Sequence, residues 1–196
     1  SNNPIGEQGA DALATVLGKD AHHVLRTLEL SKCELSDVAA SSVIRSLHKN
    51  KTLESLDLRH NGIGRGSQAH FALAQLLTRN GALRTLLLGW NSIHGVRSDE
   101  FLNALRYNTH ITHLDLSWNT IGSRGASCLG WSLRFNTALV SLDLTHNDIG
   151  ERGGFVLADT LQENSTLEKI TLDKNPLGQI GGAALLRGLR AYEALG

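Results

Sequence analysis

Residues 111–122 read Ile111-Thr112-His113-Leu114-Asp115-Leu116-Ser117-Trp118-Asn119-Thr120-Ile121-Gly122, the pattern LxxLxLxxNxI closed by glycine. Alternation about Leu114 predicts a short strand with leucines turned to one face and His113 and Asp115 to the other. The amide of Asn119 stands where the chain leaves that strand. There it can donate and accept toward loop backbone that no sheet partner reaches. The pattern recurs in six copies starting at Leu25, Leu53, Leu83, Ile111, Leu139 and Leu167, with spacings of 28, 30, 28, 28 and 28 residues. Cys33 replaces the asparagine once and reads there as a small buried residue.

The second half of each unit is as regular. Leu47, Leu77, Leu105, Leu133 and Leu161 lie six residues before the next start, and Val43, Leu73, Phe101, Leu129 and Leu157 lie ten before it. A separation of four residues puts each pair on one helix face. Asn50, Asn80, Asn108, Asn136 and Asn164 fall three residues before the next start, where a helix must end and a left-handed residue is useful, so they read as C-terminal caps. Each unit is therefore strand, turn, helix and return loop. One unit cannot bury its apolar face alone, and stacking makes a continuous core.

Composition narrows the partners. The chain has 196 residues with 19 basic and 19 acidic side chains, without the electrostatic footprint of a protein that binds mainly nucleic acid or an anionic membrane. Neither partner is expected. No apolar run approaches a membrane span, and no basic segment with an apolar core opens the chain. Cys33 and Cys128 form no CxxC pattern, so a disulfide framework and a zinc site both lack support and a reducing, cytoplasmic setting is expected.

On these residues the chain resembles leucine-rich repeat proteins, and its 28-residue units with full helices resemble the ribonuclease-inhibitor subclass, shared by NOD-like receptors and Ran GTPase-activating proteins. The resemblance implies an α/β horseshoe, parallel strands on the concave side and helices on the convex side. It covers essentially residues 1–196, read as one domain: a partial repeat over 1–24, then full repeats. Asn3, Ile5, Gly6, Leu13 and Leu17 match the end of a preceding unit, and Leu195 stands where a seventh copy would start. Without evident polar caps, the chain is expected to be a segment of a longer protein.

The variable positions of the strand face carry the candidate site. The fourth residue after each start reads Glu29, Asp57, Leu87, Asp115, Asp143 and Thr171, an acidic row broken by Leu87. Carboxylates on neighbouring strands repel one another unless a basic partner relieves them, or unless water does. The seventh reads Lys32, His60, Trp90, Trp118, His146 and Lys174, with Arg59 beside His60. Trp90 and Trp118 on adjacent strands are expected to stack near Leu87 as an interface anchor, the alternative being that both indoles cover the core. A convex patch of Tyr107, Trp131 and Phe135 is a secondary candidate, unless these rings simply cover helix ends.

No enzyme, cofactor or metal site is expected. His113, Asp115 and Asp143 could approach one another, with His60 and His146 on the same surface, but they are spread over an open face, where histidines instead tune binding with pH. His110 and His113 join a loop to a strand and are no helical zinc motif. The sequons at Asn50 and Asn164 raise an extracellular alternative, yet both occupy the repeated helix-end position, which predicts burial. The expected function is protein recognition, as a receptor array or scaffold. A regulator of a small GTPase is the alternative the resemblance implies, and a structural spacer the third.

Overall fold

The computed structural model describes residues 2–18 and 24–193, so Leu195 lies outside the described residues. A first helix, α1 (Gly6–Leu17), is followed by β1 (Thr27–Glu29), α2 (Asp37–Ser46), β2 (Ser55–Asp57), α3 (Gln68–Arg79), β3 (Thr85–Leu87) and α4 (Gly95–Ala104). Then come β4 (His113–Asp115), α5 (Gly122–Leu133), β5 (Ser141–Asp143), α6 (Glu151–Glu163), β6 (Lys169–Thr171) and α7 (Gly178–Glu193). Helices α2 and α4 each tighten into a 3-10 turn, at Leu47–Lys49 and Leu105–Tyr107.

The six strands form one open parallel sheet in the order of the chain. Register is set by the central residue of each strand: Leu28, Leu56, Leu86, Leu114, Leu142 and Ile170 align across the whole sheet. Parallel strands need a crossover, and each unit supplies it with its helix. The helix residues singled out by spacing, Val43 with Leu47 through Leu157 with Leu161, are all buried against the strand leucines in one core. That core thins toward both ends, where Leu28, Ile170, Leu172 and Leu177 are only partly covered. Burial of each interior leucine contributes roughly 2 kcal/mol, so the array is held most firmly in its middle repeats. Small residues let neighbouring helices close up: a Cβ on Gly95 would stand 2.3 Å from the Ile121 carbonyl.

Two rows of asparagines bracket the strands. At the strand exits, Asn61 Oδ1 accepts from Cys33 N (3.2 Å) and Leu35 N (3.0 Å) of the preceding repeat, and its Nδ2 donates to the Leu30, Leu58 and Arg59 carbonyls at 2.9–3.1 Å. Asn91, Asn119, Asn147 and Asn175 repeat this bridge. Cys33 is buried as expected, with its thiol 3.6 Å from the Ser31 carbonyl.

The second row differs from the expectation. Asn50, Asn80, Asn108 and Asn164 do end their helices, but with φ between −70° and −87° and ψ near 125°, extended rather than left-handed. Their work is done by the side chain. Asn108 Oδ1 accepts from His110 N (3.1 Å) and Ile111 N (2.7 Å), turning the chain into the next strand, while Nδ2 donates to the Leu77 carbonyl one repeat earlier at 2.7 Å. An Asx turn satisfies the amides of the loop that leads into the next strand, so no positive φ is needed. Asn50 and Asn164 are buried in this role, and the Asn164 amide nitrogen is already donated to Leu133 and Asn136.

Replacing one exit asparagine therefore strips both repeats it joins. Asn119→Ala leaves the Ile93 amide without its partner and takes one of two donors from each of the Leu88, Leu116 and Ser117 carbonyls, and is expected to cost about 3 kcal/mol in urea unfolding.

Candidate functional site

A left-handed residue stands one position before each exit asparagine, and before Cys33 in the first full repeat. Lys32, His60, Trp90, Trp118, His146 and Lys174 all have φ between 53° and 58°. Each of the first five donates its backbone N–H to the sixth-position carbonyl of the next repeat, as in Trp90 N to Ser117 O at 2.8 Å and Trp118 N to Thr145 O at 2.7 Å. The hydrogen-bonded ladder thus continues past the strand, and the chain must then turn sharply to bring the asparagine inward. A bulky side chain in this conformation costs about 1–2 kcal/mol.

The same turn throws the side chains into register. His60 and Trp90 stack with ring centroids 5.0 Å apart and planes 19° from parallel. Trp90 and Trp118 stack at 3.9 Å and 11°, and Trp118 and His146 at 3.9 Å and 13°. Lys174 Nζ reaches to 4.8 Å from the Trp118 ring centroid. Four rings from four repeats form one continuous ladder, closer in its last two steps than the roughly 4.8 Å between strands. The indoles do not fold into the core: Trp90 is 44% exposed and Trp118, His60 and His146 are half-buried. Burial, with the charges of Lys32 and Arg59, lowers the His60 pKa.

The acidic row is not the set of free carboxylates that its spacing suggested. Asp57 is buried and held by Arg59, whose Nε and Nη2 donate to its two carboxylate oxygens at 3.0 and 2.7 Å. Its Oδ1 also accepts from Arg59 N at 2.9 Å. Asp115 and Asp143 make the same backbone turn, accepting from Ser117 N and Thr145 N at 2.8 Å each. These aspartates close the strand by hydrogen bonding two residues ahead, a role that accounts for their recurrence. Asp57 is unavailable to a partner's basic group, whereas Glu29 is exposed and Asp115 and Asp143 are half-buried. Arg59 stands in the field of Asp57, Asp115 and Glu29, which raises its pKa.

The other expected residues are placed as follows. Leu87 is half-buried between Asp57 and Asp115 in the strand register. His113 is exposed on β4, with Nδ1 2.9 Å from Thr112 Oγ1 rather than joined to Asp115 or Asp143. On the helix side, Tyr107 and Phe135 are 70% and 50% exposed and share Arg106, whose guanidinium carbon stands 5.6 and 4.1 Å from their ring centroids. Trp131, 59% exposed, is tied instead to Arg134 at 5.1 Å, and Arg134 pairs with Asp159 and Glu163. The three aromatics therefore form two arginine-capped groups. Both arginines were passed over in the sequence because each simply precedes an aromatic, Arg106 before Tyr107 and Arg134 before Phe135. Among the described residues no group of three or more His, Cys, Asp or Glu is placed to hold a metal ion. The Cys128 thiol is pushed up to about 11, by burial first and then by Asp99.

Asp57 carries a pH signature. Burial alone would raise its pKa, but the Arg59 hydrogen bonds and charge outweigh it and the net shift is downward. A depressed folded-state pKa adds stability above the ordinary aspartate range that is lost as pH falls through the lowered value. Acidification is therefore expected to lower the melting temperature of the wild-type chain more than that of Asp57→Asn, checked by thermal melts across the acid range.

The comparisons with known proteins place this geometry. A family model described as Leucine Rich repeat matches residues 21–43, 49–65, 107–130 and 135–158. Centrosomal protein of 78 kDa from Mus musculus is 42% identical over 60 residues, 31% of this chain and 7% of that protein. NACHT, LRR and PYD domains-containing protein 5 from Homo sapiens is 35% identical over 119 residues, covering 59% and 9%. Ribonuclease inhibitor from Mus musculus is 36% identical over 64 residues, covering 33% and 14%. The chain thus matches only a small part of the length of each relative. Among solved structures, a tropomodulin C-terminal domain from Caenorhabditis elegans superposes with a TM-score of 0.59 at 12% identity over 95% of both chains, a likeness of fold.

Proposed function

We propose that this chain, whose repeats a Leucine Rich repeat model matches in four segments, is a non-catalytic protein-recognition module whose partner docks on the strand side, over the ring ladder centred on Trp90 and Trp118. The observation that carries this reading is the ladder itself. Four bulky or charged-capable rings occupy left-handed backbone positions that asparagine or glycine would fill at lower cost. Stacking contributes about 0.5–1.5 kcal/mol per pair beyond the area it buries, enough to offset the strain and hold the rings rigid. A rigid aromatic surface loses little entropy on binding, which is what an interface anchor requires. Glu29, Asp115 and Asp143 remain on the same face for basic groups of the partner, with Arg59 and Asp57 as an internally neutral pair between them. Leu87, His113, His60 and His146 complete the contact surface.

The family resemblance implies one other activity, regulation of a small GTPase; stimulated GTP hydrolysis by a purified GTPase in the presence of this chain would favour it over simple recognition.

Asparagine separates a binding role of the indoles from a structural one. Trp90→Asn/Trp118→Asn exchanges stacking for relief of backbone strain, so stability in urea unfolding is expected to stay within about 1 kcal/mol of wild type. Partners captured by the wild-type chain from lysate of its source cells are expected to be lost with this variant. Capture of the same partners by both proteins would overturn the ladder as the anchor.

A further inference from the structure

The loops that return from the helices to the strands carry a second, unrelated feature. Between the returns of α2 and α3 lies a cleft of about 890 Å³ lined by His48, Lys49, Lys51, Arg79, Arg84 and Glu54. A smaller cleft of about 420 Å³ adjoins it, sharing His48, Lys49 and Arg79 and adding Arg45. The one carboxylate, Glu54, is already engaged by Arg26. Among the described residues, Arg45, Lys49, Lys51, Arg79 and Arg84 meet no carboxylate within ion-pair distance. Five of the 19 cations of a chain with zero net charge are thus gathered on one groove. His48 adds a buried Nε2 that has no hydrogen-bond partner.

Cations at helix C-termini are favoured by the helix dipole, and α2 and α3 end here in Arg45 and Arg79. That explanation predicts one cation per repeat. Helices α5 and α6 have none in their last turns. Four residues before each repeat start the series reads Lys49, Arg79, Tyr107, Phe135 and Glu163. The rim therefore changes from basic to aromatic to acidic along the solenoid, with the exposed Tyr107 and Phe135 under Arg106 at the equivalent positions of the next two repeats.

We propose that this groove binds an extended acidic segment of a partner protein, with its carboxylates among Lys49, Arg79 and their neighbours and an apolar residue at one end against Tyr107 and Phe135. The chemistry favours a chain of carboxylates over a single phosphate. The helix ends here present carbonyl oxygens rather than N–H groups, and the cations are spread over the helix ends and return loops of two successive repeats. This surface is independent of the ring ladder, and neither proposal needs the other.

The test is fluorescence anisotropy with a fluorescein-labelled peptide of Asp and Glu residues ending in Phe, at low and raised salt. Salt-sensitive binding is expected, weakened about tenfold or more by Lys49→Glu/Arg79→Glu and less by Lys49→Gln/Arg79→Gln, with unchanged thermal melts of the glutamine pair. Arg152→Glu, which changes the net charge as much as the glutamine pair does but on α6, is expected to leave binding unaltered, as is Trp90→Asn/Trp118→Asn. Changing the peptide's Phe to Ser is expected to weaken binding to the wild-type chain but not to Phe135→Ala. The proposal is overturned by absence of salt-sensitive binding, by equal weakening in Arg152→Glu, by displacement of the peptide with pyrophosphate alone, or by tighter binding of a single-stranded oligonucleotide of equal charge.

Discussion

The structure depends on what happens to backbone amides and carbonyls where a three-residue strand ends. A strand this short leaves most of its unit without sheet hydrogen bonds, and buried backbone groups left unpaired would cost more than each leucine contributes. The exit asparagines solve this by spending both ends of one amide. Asn91 accepts from the amides of Asn61 and Ile63 in one repeat and donates to the carbonyls of Leu58 and Leu88 across two. Burial makes the arrangement strict, since a side chain that missed one partner would leave several groups unsatisfied together. The leucine core supplies the driving force, and the amides decide which stacking of repeats that force selects.

From that constraint the rest of the strand-side surface follows. For the asparagine to point inward from a loop that is still hydrogen-bonded to the next repeat, the residue before it must turn through the left-handed region. All six such residues do so within a few degrees of one another. Identical backbone geometry in every repeat projects their side chains in parallel, so aromatic residues placed there stack by construction. The ring ladder is thus an output of the amide ladder: the fold supplies the alignment and the sequence chooses what is aligned.

Much of this was legible because periodicity is a one-dimensional property. Strand positions, helix faces, the burial of Val43 through Leu161 and the neighbour relation of Trp90 and Trp118 all follow from counting residues between copies. What spacing cannot show is how a polar side chain divides itself among partners. Asp57 and Asp143 occupy the same place in their repeats, yet Arg59 two residues on makes the first a buried, neutralised pair where Thr145 leaves the second open. The helix-end asparagines were located correctly and given the wrong backbone, because an Asx turn and a left-handed cap place asparagine at the same point of the chain. The basic groove escaped because its residues are exposed and each has a local justification at a helix terminus. Only comparison of one slot across repeats reveals that Lys49 and Arg79 give way to Tyr107, Phe135 and Glu163.

That comparison also bears on how a solenoid carries more than one surface. Each repeat contributes the same framework, so a surface is a row of equivalent positions and its chemistry is set independently of every other row. Residues one position before the exit asparagine build a ladder symmetric about Trp90 and Trp118, whereas residues four before the repeat start build a gradient with a direction. A symmetric row gives little information about the orientation of what it binds. A graded row fixes orientation, because reversing an acidic segment would set its charges against Glu163 and its apolar end among the lysines and arginines, with like-charge repulsion and unpaired desolvation as the cost. A partner spanning both rows would take its anchoring from the rings and its polarity from the rim. The two contributions are coupled only through the rigid repeats between them.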